Sequence, residues 1–216
     1  METKENGIIR RYFPGKLENR MDGGSKTERF GGLAATTGSE YVLWEDSEDV
    51  FTEVIERGAF RDVEKFDVRV LKNHDSNYLL ARTANGTARV WEDKDGLHYE
   101  WDNDPMMSYA ADIAASIRRG DTNQSSFGFI IGEEMWEREK RSDGKMLHKR
   151  TIRGFKEVFD VSPVTFPANQ ATTVEKRSLL KEETQSYIIN STKLSWQDEI
   201  EFYKLRTATK EKLLHY

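Results

Sequence analysis

Between Thr87 and Trp101 the chain carries two short runs that alternate apolar and polar residues around an Asp-Gly turn. Thr87-Ala88-Arg89-Val90-Trp91-Glu92 and Leu97-His98-Tyr99-Glu100-Trp101 flank a turn that ends in Asp95-Gly96. Successive side chains on a strand face opposite sides, so each run owns one apolar face. Asp-Gly supplies the left-handed backbone that a tight hairpin needs. A chain with this hairpin must bury one face of an antiparallel sheet, which rules out an all-helical fold.

The next segment is the clearest helix. Asp104 is placed to cap it and Pro105 to occupy its first position. Met106, Ala110, Ile113 and Ile117 recur at 4-3-4 spacing and share one face. Arg118 and Arg119 suit the negative end of the helix dipole, and Gly120 can close it in the left-handed conformation.

Extended runs fill much of the remainder. Phe30-Gly31-Gly32-Leu33-Ala34-Ala35 reads as a strand whose small residues admit a close neighbour. Tyr41 to Trp44 is a second apolar piece, and Phe51 to Ile55 suits an exposed or edge strand. Ala59 to Lys65 has the composition of a short helix. Val68-Arg69-Val70-Leu71 reads as a buried strand that runs into Asn73-His74-Asp75. Trp136 to Glu139 and Leu147 to Arg150 flank a turn at Ser142-Asp143-Gly144-Lys145. Phe155 to Phe166 is extended but interrupted by Pro163. The pattern predicts an α+β domain over residues 29–178. Residues 1–28 are expected as a flexible arm, and 179–216 as a polar tail in which Ser195 caps a short helix bearing Trp196, Ile200 and Tyr203.

Composition narrows the chemistry. The 216 residues carry a formal charge of −5 with no block of Lys or Arg, so no nucleic-acid partner is expected. Cysteine is absent, which removes thiol catalysis, disulfides and cysteine zinc sites. No apolar run reaches membrane-spanning length, so no membrane partner is expected either. The four histidines show no metal-ligand spacing and no phosphate-binding glycine loop occurs, so neither metal nor cofactor is expected.

Ser126 stands out at the start of an apolar run, Gln124-Ser125-Ser126-Phe127-Gly128-Phe129. A serine nucleophile needs a base to accept its proton and a third group to orient that base. His74 is placed for the second role. Candidates for the third are Asp160, Glu157, and a second histidine, His98 or His148. Asp75 adjoins His74, but neighbours on an extended chain point apart. Strand alternation should likewise turn the Ser125 hydroxyl to the face opposite Ser126.

Four segments, in order, resemble the prohead maturation proteases of tailed bacteriophages. They are Ile55-Glu56-Arg57-Gly58-Ala59-Phe60, the histidine region Arg69 to Asp75 with Leu80 to Thr83 and Gly86-Thr87, the serine motif Ser125 to Phe129, and Phe159 to Ala168. The resemblance implies a serine endopeptidase with a fold like that of the herpesvirus assembly proteases: an antiparallel β-barrel-like core flanked by helices. It also implies Ser126 as nucleophile, His74 as general base and Asp160 as third member. Its substrates would be the scaffold protein or the scaffolding segment of the major capsid protein, and the enzyme itself. Such an enzyme self-associates and works in the host cytoplasm inside the immature capsid. Ser125 stands where the family often has a larger apolar residue. The rival readings are a non-enzymatic capsid-assembly module of the same fold and a hydrolase of small esters.

Overall fold

The computed structural model describes residues 8–13, 17–19 and 28–165. The Asp-Gly hairpin forms as its pattern dictates, from β8 (Ala88–Glu92) and β9 (Gly96–Asp102). Leu97, Tyr99 and Trp101 are wholly buried on β9 and alternate with half-buried His98, Glu100 and Asp102. β3 (Arg29–Thr36) pairs antiparallel with β9, and the two-residue β2 (Glu18–Asn19) completes a sheet of order β2-β3-β9-β8. The small residues of β3 are there for contact: a Cβ on Gly31 would lie 2.5 Å from the Tyr99 carbonyl oxygen.

A seven-stranded sheet is built on one long hairpin. Its arms are β10 (Gln124–Lys140) and β11 (Met146–Val164), joined by the turn expected at residues 142–145. Outward from this pair run β1 (Ile9–Phe13), against β10, and β5 (Asp49–Ile55) then β4 (Glu40–Glu45), beyond β11. β6 (Arg69–Lys72) pairs with both β11 and β7 (Asp75–Arg82). β5 and β6 run parallel to β11, whereas the other pairings are antiparallel. One apolar cluster draws on both sheets and on a helix, with Phe30, Ile55, Phe60, Tyr99, Trp101, Ile113, Phe127 and Phe129 among its members. Truncating an aromatic residue in such a cluster costs about 3–5 kcal/mol.

The structure departs from the expected α+β barrel flanked by helices. It is mostly β, and its sheets are open rather than closed into a barrel. Among the described residues only α1 (Ser108–Arg119) is an α-helix, and no helix is long and apolar enough to cross a membrane. α1 begins later than Pro105. Asp104 accepts the Met106 amide at 2.9 Å, which makes a turn before the helix and leaves Met106 exposed. The rest of the face behaves as its spacing requires, with Ala110, Ile113 and Ile117 buried and Gly120 left-handed at φ 82°.

Three further expectations fail for local reasons. The segment Ala59 to Lys65 gives only a 3-10 turn at Val63–Lys65. β5 lies inside the sheet, flanked by β4 and β11, and Glu53, on the face it shares with Phe51 and Ile55, is neutralised by Arg11 and Arg150 rather than solvated. Pro163 does not interrupt β11, since it lies past Asp160 and Val161, the last residues that pair with β6. Residues 1–28 supply β1 and β2, with Phe13 and Leu17 buried. The helix anticipated at Ser195, and the end of the Phe159 to Ala168 motif, lie outside the described residues.

Candidate active site

His74 sits on the turn that joins β6 to β7, where Lys72 pairs with Asp75. Asn73 and His74 both adopt positive φ, at 55° and 60°. Two successive left-handed residues match the twist of a hairpin, but they strain a non-glycine backbone by roughly 1–3 kcal/mol each. Asn73 holds the turn in place. Its Oδ1 accepts the Thr165 amide at 2.9 Å, and its own amide donates to the Pro163 carbonyl at 3.1 Å. The turn that aims His74 is thereby tied to the end of β11.

β11 also carries Asp160 and Ser162, and β10 carries Ser126. In register, Ser126 faces Ser162 and Gly128 faces Asp160 across the β10–β11 pair. His74 Nε2 lies 2.5 Å from Ser126 Oγ, and its Nδ1 lies 2.5 Å from Asp160 Oδ2. A carboxylate only accepts, so Nδ1 carries the proton and Nε2 is left to accept from the serine. Ser162 Oγ donates a second bond to Asp160 Oδ2 at 2.7 Å. All these side chains are nearly sealed: Ser126 and Ser162 are fully buried, and His74 is 5% exposed.

Gly128 makes this arrangement fit. A Cβ at that position would come within 2.6 Å of Asp160 Oδ1, so any side chain there displaces the carboxylate. Immediately after Gly128 the β10–β11 register shifts four times before Glu134. Bulges of this kind bend a strand and end its regular pairing beside a site. On the opposite face Ser125 Oγ bonds Tyr99 O–H at 3.0 Å, as alternation requires. Burial raises the Tyr99 phenol above its usual range.

The other candidates for the third position lie apart from His74. His98 stacks on Trp91 and faces Asp93 at 3.0 Å. His148 stacks on Phe51 at 4.3 Å and bonds Asp49 at 2.8 Å. Glu157 is exposed, and Asp75 caps the Asn77 amide instead of touching His74. One group of metal-ligating type occurs among the described residues, Asp93, Asp95 and His98 at the β8–β9 turn. Asp93 Oδ1 there already accepts the amides of Asp95 and Gly96.

Sequence reasoning missed several neighbours of the cluster. Ser162 was signalled only by its position two residues after Asp160, on the same strand face. Asn73 was signalled by its tolerance of positive φ. β1 gave less warning, since Arg10-Arg11 reads as solvated. Yet Ser126 Oγ lies 2.9 Å from the Arg11 carbonyl, and the Tyr12 ring stands edge-on to His74 with centroids 5.6 Å apart.

A family model described as caudovirus prohead serine protease matches residues 16–186. Among solved structures, the capsid assembly protease of bacteriophage T4 is similar at 11% identity and a TM-score of 0.40, covering 74% of this chain and 98% of that one. No curated protein matches.

Proposed function

The chain belongs to the caudovirus prohead serine protease family, and from that premise we propose that Ser126 is its nucleophile, His74 its general base and Asp160 the group that orients the base. The observation that carries this reading is the unbroken chain Ser126–His74–Asp160, with both links at 2.5 Å. His74 accepts the hydroxyl proton while Ser126 Oγ attacks a peptide carbonyl. Asp160 stabilises the imidazolium that forms, and His74 then protonates the leaving amine. Water releases the acyl-enzyme by the same route in reverse. Ser162 assists by donating to Asp160 Oδ2, the same oxygen that His74 bonds. This holds the carboxylate against the imidazole ring.

The substrates proposed are the scaffold protein or the scaffolding segment of the major capsid protein, cleaved inside the immature capsid, and the enzyme's own chain. The test is co-expression of wild type and Ser126→Ala with the neighbouring capsid genes, followed by intact-mass measurement of every chain. Truncated capsid or scaffold chains should appear with wild type alone. Truncation by both forms would overturn the assignment of Ser126. Assembled but uncut proheads with both would favour a non-enzymatic assembly module.

A further inference from the structure

We propose that β1 occupies the substrate's place in this chain, and that Glu53 is the group that reads a basic side chain on whatever strand lies there. The inference rests on the protease reading above. Remove β1 and the first half of β10 becomes a sheet edge, with unpaired N–H and C=O groups beside Ser126. A peptide is recognised at such an edge by adding a strand, the main chain giving affinity and alternate side chains giving specificity. β1 does both. It pairs antiparallel along β10 from Ile9 opposite Phe129 to Phe13 opposite Ser125. It lies before residue 16, where the match to the protease family begins.

The contact at its centre blocks the nucleophile. A serine hydroxyl has one proton, and here two acceptors compete for it: His74 Nε2 at 2.5 Å and the Arg11 carbonyl at 2.9 Å. Donation to Arg11 takes the proton from the base. Donation to His74 sets two oxygen lone pairs against each other. With Ser126 fully buried, no other carbonyl reaches it while β1 is seated.

The two faces of β1 are read separately. Tyr12, on the side of Ser126, abuts the His74 ring. Arg11 points the other way and forks onto Glu53, with Nε 2.7 Å from Oε1 and an Nη 3.2 Å from Oε2. Glu53 is fully buried on β5, and Arg150 and the Tyr41 hydroxyl also bond it. These two partners stay when Arg11 leaves, so the carboxylate remains charged and buried, with one bidentate face vacant. That face suits a guanidinium or ammonium from an incoming strand. The substrate class is therefore an extended segment that places a basic residue where Arg11 now sits, followed by an aromatic or flat apolar residue against His74.

The experiment measures covalent labelling of Ser126 by a fluorophosphonate in the full chain. Arg11→Ala should label at least about tenfold faster than wild type, a change that corresponds to ~1.4 kcal/mol of strand docking. No label should enter the Arg11→Ala/Ser126→Ala double variant. A peptide of residues 8–14 should slow Arg11→Ala back towards wild type, and the same peptide with alanine for Arg11 should not. Equal labelling of wild type and Arg11→Ala overturns the role of β1 and leaves the protease reading intact. No labelling of folded Arg11→Ala overturns both. If that variant fails to fold, hydrogen exchange on wild type decides: complete phosphonylation must deprotect residues 9–13, and unchanged protection refutes the proposal.

Discussion

Two carboxylates are buried in the same sheet, Asp160 on β11 and Glu53 on β5, and different partners hold them. Asp160 is 4% exposed and Glu53 is wholly buried. Asp160 is held by the His74 imidazole and the Ser162 hydroxyl. Glu53 is held by two guanidiniums and a phenol. Burial pushes its carboxyl up, but Arg11 and Arg150 outweigh that and bring it down to about 2. Burial likewise raises the Tyr41 phenol, and the Glu53 charge raises it further. Glu53 is thus a fixed charge. Burial is common to both, so what separates the two carboxylates is the partner: fixed cations and a phenol for Glu53, an imidazole and a hydroxyl for Asp160.

The contrast breaks most sharply at the nucleophile. Ser126→Ala and His74→Ala should each abolish processing in the co-expression assay while the thermal unfolding profile stays close to wild type. Asp160→Asn should lower the labelling or cleavage rate by about 10⁴, because the amide presents the wrong hydrogen-bonding partner to His74 Nδ1. Glu53→Gln should act first on stability. It leaves two guanidiniums without their anion, and urea titration should show a loss of about 3–5 kcal/mol. Gly128→Ala sharpens the comparison further. Its methyl group must move Asp160 Oδ1, and a displacement of an ångström costs about 10² in rate without unfolding the chain.

The smallest effect expected is the acid limb of stability. The folded carboxyl of Glu53 sits below its ordinary value of 4.5, so its contribution is complete above pH 4.5 and is lost as pH falls towards about 2. Wild type should lose melting temperature across that window, and Glu53→Gln should lose less of it. A parallel decline in the two proteins would mean that the fixed charge is not the source.

Much of this was readable from residue order, and the gaps have physical causes. The β8–β9 hairpin was legible because Asp95-Gly96 and strict alternation are local signals. Ser126 and His74 were singled out from their flanking segments, and the structure brings their side chains together. The resemblance pointed to Asp160, but the residues alone left Asp160, Glu157, His98 and His148 open, because which of them reaches His74 depends on the register of β11 against β10 and β6. No short segment encodes a register between strands so far apart. The interior place of β5 was missed because Glu53 reads as a solvent-facing charge until its two arginines, from β1 and β11, are brought to it. The shortfall of helix has a similar origin: capping at Asp104 was real, but Asp104 caps a turn.

The sequence separations within the site also set an order of events during synthesis. His74 meets a serine 52 residues later and an aspartate 86 residues later, and Ser126 meets Arg11 from 115 residues earlier. A growing chain therefore carries its histidine turn long before anything orients it, and the strand with Asp160 is the last part of the site to leave the ribosome. Until β11 zips onto β10 and pins Asn73 through Pro163 and Thr165, the serine is an ordinary alcohol. By then residues 9–13 have long been made and await the same strand. On the proposed roles, completion of the hairpin would give Ser126 its base and seat residues 9–13 beside it along the same strand.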